Sequence, residues 1–285
     1  MSRPEPVRLA RAALSRLIEP SDSVGQALVA AAGPEAAAQI AAGHQRAGTT
    51  LRREIAGLLE ERGIRGTGRV LDEAMERWQP RVADLAPQRD LQTVQRFRGR
   101  MLVPEGTDWP AALLDLGQGM PFCLWVRGSG TVPGLGQCLA LVGSRDATSY
   151  GLAITGDLAA GLVQRSCTVI SGGAYGIDAQ AHRSALAVGG IRGGTETRAA
   201  PDGNRPSAGG STEMPTVAVL AGGVDRFYPA GNDDLLRSVA ETGLILSEVP
   251  PGSAPTRWRF LQRNRLIAAL SAATVVVEAR WRSGA

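Results

Sequence analysis

Four stretches in the second half of the 285-residue chain combine glycine, hydroxyl, arginine and aromatic residues in patterns suited to holding a phosphate-rich ligand. The first is Gly143-Ser144-Arg145. Glycine lets a backbone approach a ligand, Ser144 offers a hydroxyl, Arg145 supplies charge, and the amides of a following helix favour an anion. The second is SGGAYGID at 171–178, a Gly-rich turn with Gly172, Gly173, Tyr175, Gly176 and Asp178. Such a turn serves either tight packing or an anion cradle, and two of them in one sheet favour the cradle. The third, AGGVDRFYPAGN at 221–232, places Phe227 and Tyr228 before Pro229 and Asn232. Tyr228 either stacks on a base or packs its own loop; Pro229 and Asn232 fix the turn into a helix. The fourth, 247–271, carries Arg257, Arg259, Arg263 and Arg265 around Trp258, Phe260 and Asn264. Arginine interleaved with aromatics is the combination that meets unstacked nucleic acid.

Other chemistries lack material. The chain contains no lysine, so a P-loop (GxxxxGK, then Ser or Thr) is excluded, and all 31 basic residues are planar, permanently charged guanidinium forks. The glycines of 172–176 do not follow GxGxxG, and no acid ends that strand to hold a ribose, which argues against a dinucleotide cofactor. No GxSxG elbow occurs. His44 and His182 are the only histidines, and His182, one helical turn after Asp178, reads as a structural partner of a neighbouring loop. Cys123, Cys138 and Cys167 lie in or beside apolar runs without CxxC spacing, so they read as buried thiols, not as a disulfide framework or metal site. No cofactor or metal is expected. Neither a signal peptide nor a membrane-spanning run is visible, and a cytoplasmic protein is expected.

Charge is unevenly spread. Residues 1–100 sum to +4, residues 101–255 to −5, and the last 30 to +5. A short, almost acid-free basic segment is the usual footprint of a polyanion site.

The elements that must hold these residues follow from periodicity. Residues 1–95 read as a small helical domain: Leu9, Ala13 and Leu17 recur every fourth residue, Gly33-Pro34 breaks an Ala-rich stretch, and Leu51, Ile55, Leu58 and Leu59 form another stripe. GIRGTGR at 63–69 is either a phosphate-holding hairpin or a plain turn. From about residue 98 the texture changes. Strands are predicted at 121–128, 138–145, 167–173, 216–223, 244–248 and 274–279. Helices are predicted at 149–165, 177–190, 232–243 (with Asn232 as N-cap and Gly243 as stop) and 258–271. Near-continuous Val/Ile/Leu strands between helices mean a doubly wound, mostly parallel α/β sheet, with ligands beyond the carboxyl ends of the strands. Residues 192–215 are polar, rich in Gly, Pro, Ser and Thr, and read as a flexible insertion open to trypsin at Arg192, Arg198 and Arg205.

In order, VGSR, Tyr150-Gly151, SGGAYGIDAQAH, AGGVDRFYPAGN, SEVPPGSAPTRWRF and RNRLIAALS resemble the DNA-processing protein A family (DprA, also called Smf) over residues 98–285. The resemblance implies an extended Rossmann-like domain behind a helical domain of the SAM or helix-hairpin-helix kind. It implies sequence-independent binding of single-stranded DNA, homodimers, and loading of a RecA-type recombinase on incoming DNA in natural transformation, without catalysis. By motif it falls on Gly143, Ser144, Arg145, Gly172, Gly173, Gly176, Asp178, Phe260, Arg263, Asn264 and Arg265. The chain departs in having Tyr175 where the family is often basic, FLQRNR for FPxRNR, AALS for AGLS, and a long 192–215 insertion. It also stops at WRSGA, where the family continues, so a truncated domain is expected. A rival reading, the lysine-decarboxylase-like phosphoribohydrolases, needs a PGGxGTxxE signature, and AGGVDRF lacks its Thr and Glu. Arg263 and Arg265 splay about 200° apart on a helix, so one should face the ligand and the other anchor the helix.

Overall fold

In the computed structural model, residues 5–64, 69–195 and 214–280 are described. Most of GIRGTGR and most of the 192–215 insertion lie outside them. The chain divides into two units. One comprises residues 1–126, 221–226 and 247–265; the other comprises 127–220, 227–246 and 266–285.

The first unit opens with helices α1 (Glu5–Leu17), α2 (Ser23–Ala41), α3 (Thr49–Glu60), α4 (Val70–Trp78) and α5 (Pro87–Arg96). Asp22 caps α2, its carboxylate accepting from the amides of Val24 and Gly25 at 3.0 and 3.1 Å and from the Trp78 indole at 3.2 Å. One acid thus starts a helix and fixes a core ring, a cap alone being worth about 1 kcal/mol. The Gly33-Pro34 break is a kink inside α2, with Gly33 at φ 76°. Leu14, Leu17, Leu28, Ile40, Ile55, Leu59 and Trp78 close a core of their own. Strands β1 (Gly99–Leu102) and β2 (Leu124–Arg127) follow.

The second unit is built on strands β3 (Cys138–Gly143), β4 (Thr168–Ser171), β5 (Thr216–Leu220), β6 (Leu244–Ser247) and β7 (Ala273–Glu278), alternating with α6 (Ser149–Gln164), α7 (Ile177–Thr195), α8 (Asp233–Thr242) and α9 (Arg257–Ala269), whose first nine residues belong to the first unit. The strand order is β1-β2-β6-β5-β4-β3-β7. β3 pairs in parallel with β4 (Cys138 opposite Thr168) and with β7 (Leu139 opposite Ala273), and β4 with β5. The doubly wound α/β fold is therefore as expected. Strands β4 and β5 are buried throughout, which is why their sequences show no alternation. Leu141, Val163, Val169, Ala181 and Ala185 form the core between β3, β4, α6 and α7. Removing a side chain such as that of Leu141 costs about 2–5 kcal/mol.

From β3 the order runs one way through β4, β5 and β6, then returns to place β7 on the other side of β3. That reversal lies at the carboxyl end of β3, the usual crevice of such sheets. Burial pushes the Cys138 thiol up to about 11 and the Cys123 thiol up to about 12, so both are inert. Among the described residues no helix is long and apolar enough to cross a membrane, and no group of His, Cys, Asp and Glu could hold a metal ion.

Candidate functional site

In the second unit, the turns after β3 and β4 are locked to each other. The Ser144 amide donates to the Glu278 carbonyl at 2.7 Å, and the Ile177 amide to the Ser144 carbonyl at 3.1 Å. Gly176 has φ 73°, and a Cβ there would strike the carbonyls of Ser144 and Arg145. Only glycine permits both the conformation and the approach. The Ser144 hydroxyl donates to the Asp146 carbonyl at 3.0 Å and the residue is buried, while Arg145 is exposed.

The amides expected to cradle an anion are partly taken by the protein's own acids. A register shift between Val142 and Gly143 sets Gly143 opposite Glu278, and such bulges re-aim side chains. The Glu278 carboxylate then accepts from the Thr148 amide at 2.9 Å and its hydroxyl at 3.0 Å, at the start of α6. Thr148 in turn caps the Gly151 amide at 3.0 Å. At α7, buried Asp178 accepts from the Ala174 amide at 3.3 Å. An anionic ligand here meets side chains more than helix-end amides. Nothing in the local pattern around Glu278 pointed to this role, because its partners lie 130 residues away.

His182 is fully buried, its ring nitrogens 2.7 Å from the Thr216 hydroxyl and from the Gly172 carbonyl. It holds the second glycine turn, as its spacing suggested. Asn232 differs from expectation. It precedes α8 but makes no side-chain cap, because its backbone (φ −108°, ψ 12°) is not the extended form a cap requires. Its amide instead donates to the Gly173 and Ala174 carbonyls, both at 3.0 Å. Gly172, Gly173, Asp178 and Asn232 thus form a buried scaffold. Above it Tyr175 is 47% exposed, its hydroxyl against Gly231, and Tyr228 is 53% exposed before a cis bond to Pro229. Tyr150, at the start of α6, is 75% exposed.

In the first unit, the Arg-rich start of α9 separates by role. Arg265 donates to both oxygens of buried Glu248, at 2.7 and 2.5 Å, and to the carbonyls of Gly119 and Gln262, each at 2.7 Å. Arg259 forks onto Glu19 with two bonds of 2.9 Å, and Glu19 also receives Arg81 at 2.7 Å. Arg263 is buried, donates to the Asn264 side chain at 3.0 Å and stands 5.8 Å from the Phe260 ring centre. Arg257 and Trp258 are exposed, Trp258 by 53%.

The family model of DNA recombination-mediator protein A matches residues 100–285. A putative DNA processing protein DprA of Mycobacterium tuberculosis is 37% identical over 293 residues, covering 99% of this chain and 63% of the relative. Protein Smf of Synechocystis is 35% identical over 208 residues, covering 71% of this chain and 45% of the relative. The chain thus spans less than two thirds of these relatives' length. Among solved structures, DNA processing protein A of Streptococcus pneumoniae superposes with a TM-score of 0.63 at 23% identity, covering 99% of this chain and 81% of that one. At that identity the likeness speaks for the fold. DNA processing protein A of Helicobacter pylori, described for its single-stranded DNA binding mode, gives a TM-score of 0.51 at 27% identity, covering 66% and 73%.

Proposed function

We propose, from the premise that the chain belongs to the DNA recombination-mediator protein A family, that it binds single-stranded DNA without sequence preference and acts as a non-catalytic mediator of recombination. One observation carries this reading. On the carboxyl edge of the second unit's sheet, the exposed side chains include a guanidinium and aromatic rings (Arg145, Tyr175, Tyr228) beside Asp146, whose carboxylate pairs with Arg280, while His182 and Asp178 are buried in structural bonds. A cation beside rings suits phosphate and unstacked bases; a general acid or base would have to reach a substrate. The single-strand binding described for the Helicobacter pylori relative supports the same ligand. On this reading Gly143, Ser144, Gly172, Gly173, Gly176, Asp178 and Asn232 shape the turns. Exposed Arg257 adds a contact from the Arg-rich segment, buried Arg263 shapes it with Phe260 and Asn264, and Arg265 positions it through Glu248. The partners that follow are a RecA-type recombinase and a second copy of the chain, in the cytoplasm.

Titration of a labelled single-stranded oligonucleotide at several salt concentrations tests this. Arg145→Ala should weaken all sequences about equally and lower the slope of log affinity against log salt by about 0.7 for one lost phosphate contact. Tighter binding to duplex, or release of a base from a nucleotide by the purified protein, would overturn the reading.

A further inference from the structure

Between α5 and β1 the chain reads Arg96-Phe97-Arg98-Gly99-Arg100, and no acid occurs from Leu91 to Pro104. Arg96, Phe97 and Arg98 are exposed, the ring by 38%. Arg89, two helical turns before Arg96 on α5, is exposed on the same side of the helix. Among the described residues, none of Arg89, Arg96 and Arg98 forms an ion pair.

The backbone at this turn favours a different residue. Arg98 has φ 55°, in the left-handed region, with its amide donating to the Gln95 carbonyl at 2.9 Å. This is the position after a helix that glycine ordinarily fills. The next residue, Gly99, is held tightly, since a Cβ there would meet the Val126 carbonyl and, at 2.7 Å, the Val94 side chain. The backbone of the turn is therefore fixed on both sides, with Arg96 and Arg98 exposed on it. Arg96 lies in the last turn of α5, where the helix dipole accounts for a cation. That account does not extend to Arg98, which sits outside the helix in a conformation an L side chain disfavours. The segment also precedes residue 100, where the match to the family model begins.

We propose that Arg96, Phe97 and Arg98 form a second contact for single-stranded nucleic acid, the guanidinium groups on phosphates and the Phe97 ring beneath an unstacked base. The inference rests on the reading that the chain binds single strands. An aromatic ring set between two outward arginines is matched by exposed bases along a backbone of phosphates. An acidic protein segment offers the charge without the bases, and a duplex keeps its bases stacked and out of reach.

The test is binding of a labelled oligo-dT to the full chain by anisotropy, at several salt concentrations, for wild type, Arg98→Gly and Phe97→Ala. Arg98→Gly relieves the left-handed conformation, so its melting temperature should rise or hold. Its salt slope should nonetheless fall by about 0.7. Phe97→Ala should lose roughly tenfold in affinity, the usual scale for one stacked base. An Arg98→Gly variant that is at least as stable as wild type and keeps its affinity and slope overturns the inference while leaving the single-strand reading intact. Wild type that binds no oligo-dT overturns both. Competition by poly-glutamate as strong as by unlabelled oligo-dT overturns the choice of nucleic acid.

Discussion

At the residue scale, the arginines that stand together in sequence do unlike work. Arg263 and Arg265 are two apart on α9, and a helix turns them to different sides. Arg265 has gone to Glu248, whose side chain is only 6% exposed, and to two carbonyls. Arg265→Met should therefore act on stability. It leaves a buried carboxylate without its partner, at a cost of about 3–5 kcal/mol. Thermal melts should show this loss, and the Arg265→Met, Glu248→Leu double variant should regain most of it. A single variant as stable as wild type would mean that Glu248 finds another donor or water. Arg257→Ala, an exposed neighbour, should melt like wild type in the same series. That 263 and 265 take different partners was legible from helical geometry alone, but neither is the outward arginine expected of the pair, since Arg263 is buried beside Asn264 and Phe260. Which residue anchors was not legible, because Glu248 lies 17 positions away and no short-range pattern links it to Arg265.

At the element scale, the predicted alternation of strands and helices from residue 138 onward follows the observed elements closely, because each is specified by its own short-range pattern. What local pattern could not give is how polar side chains couple elements. Asn232 leaves the end of α8 for two carbonyls 59 and 58 residues earlier. Glu278 reaches α6 from β7. In the first unit, Arg16 of α1 forks onto Asp90 of α5 at 2.8 and 2.6 Å and also donates to the Pro251 carbonyl at 2.7 Å. These groups border a cavity of about 470 Å³ with Asp84, Arg89, Thr93 and Asp225. Burial raises the Asp90 carboxyl above its ordinary value, with nearby Asp225 adding to the rise and Arg16 opposing it. A carboxyl raised in the folded state contributes most below its unfolded value, and that contribution is lost as pH rises through the folded one. Arg16→Met removes the main opposing influence, so the folded value climbs further. The variant should lose about 3–5 kcal/mol near neutrality and less in the acid range, where Asp90 is protonated. Chemical denaturation at several pH values measures this. A loss equal at acid and neutral pH would assign the role of Arg16 to its Pro251 contact and packing, not to Asp90.

At the scale of the whole molecule, the doubly wound class was legible, since near-continuous apolar strands between helices admit few other arrangements. The grouping of residues 221–226 and 247–265 with the first 126 was not. Both segments are short and loop-rich, and their membership is settled by long-range contacts such as Arg16 to Pro251 and Arg259 to Glu19. Nor did the sequence separate β7 from its neighbours, for TVVVE reads like any buried strand. In the observed order β7 is outermost beyond β3, and its first four residues are exposed, Val275 by 36% and Val276 by 49%. Successive side chains on a strand point to opposite faces, so apolar surface is open on both. An outer strand with outward valines is prone to pair with another strand, and natural edges are commonly blunted by an inserted charge. Val276→Lys should accordingly reduce concentration-dependent association in light scattering. The melting temperature should hold, since a half-exposed valine contributes little packing. Its backbone still pairs with Val142 of β3, leaving the sheet itself unchanged. If Val276→Lys associates as strongly as wild type, the contacts between copies lie on another face. If it unfolds, the exposed surface of β7 supports the sheet in a way that its solvent exposure does not suggest.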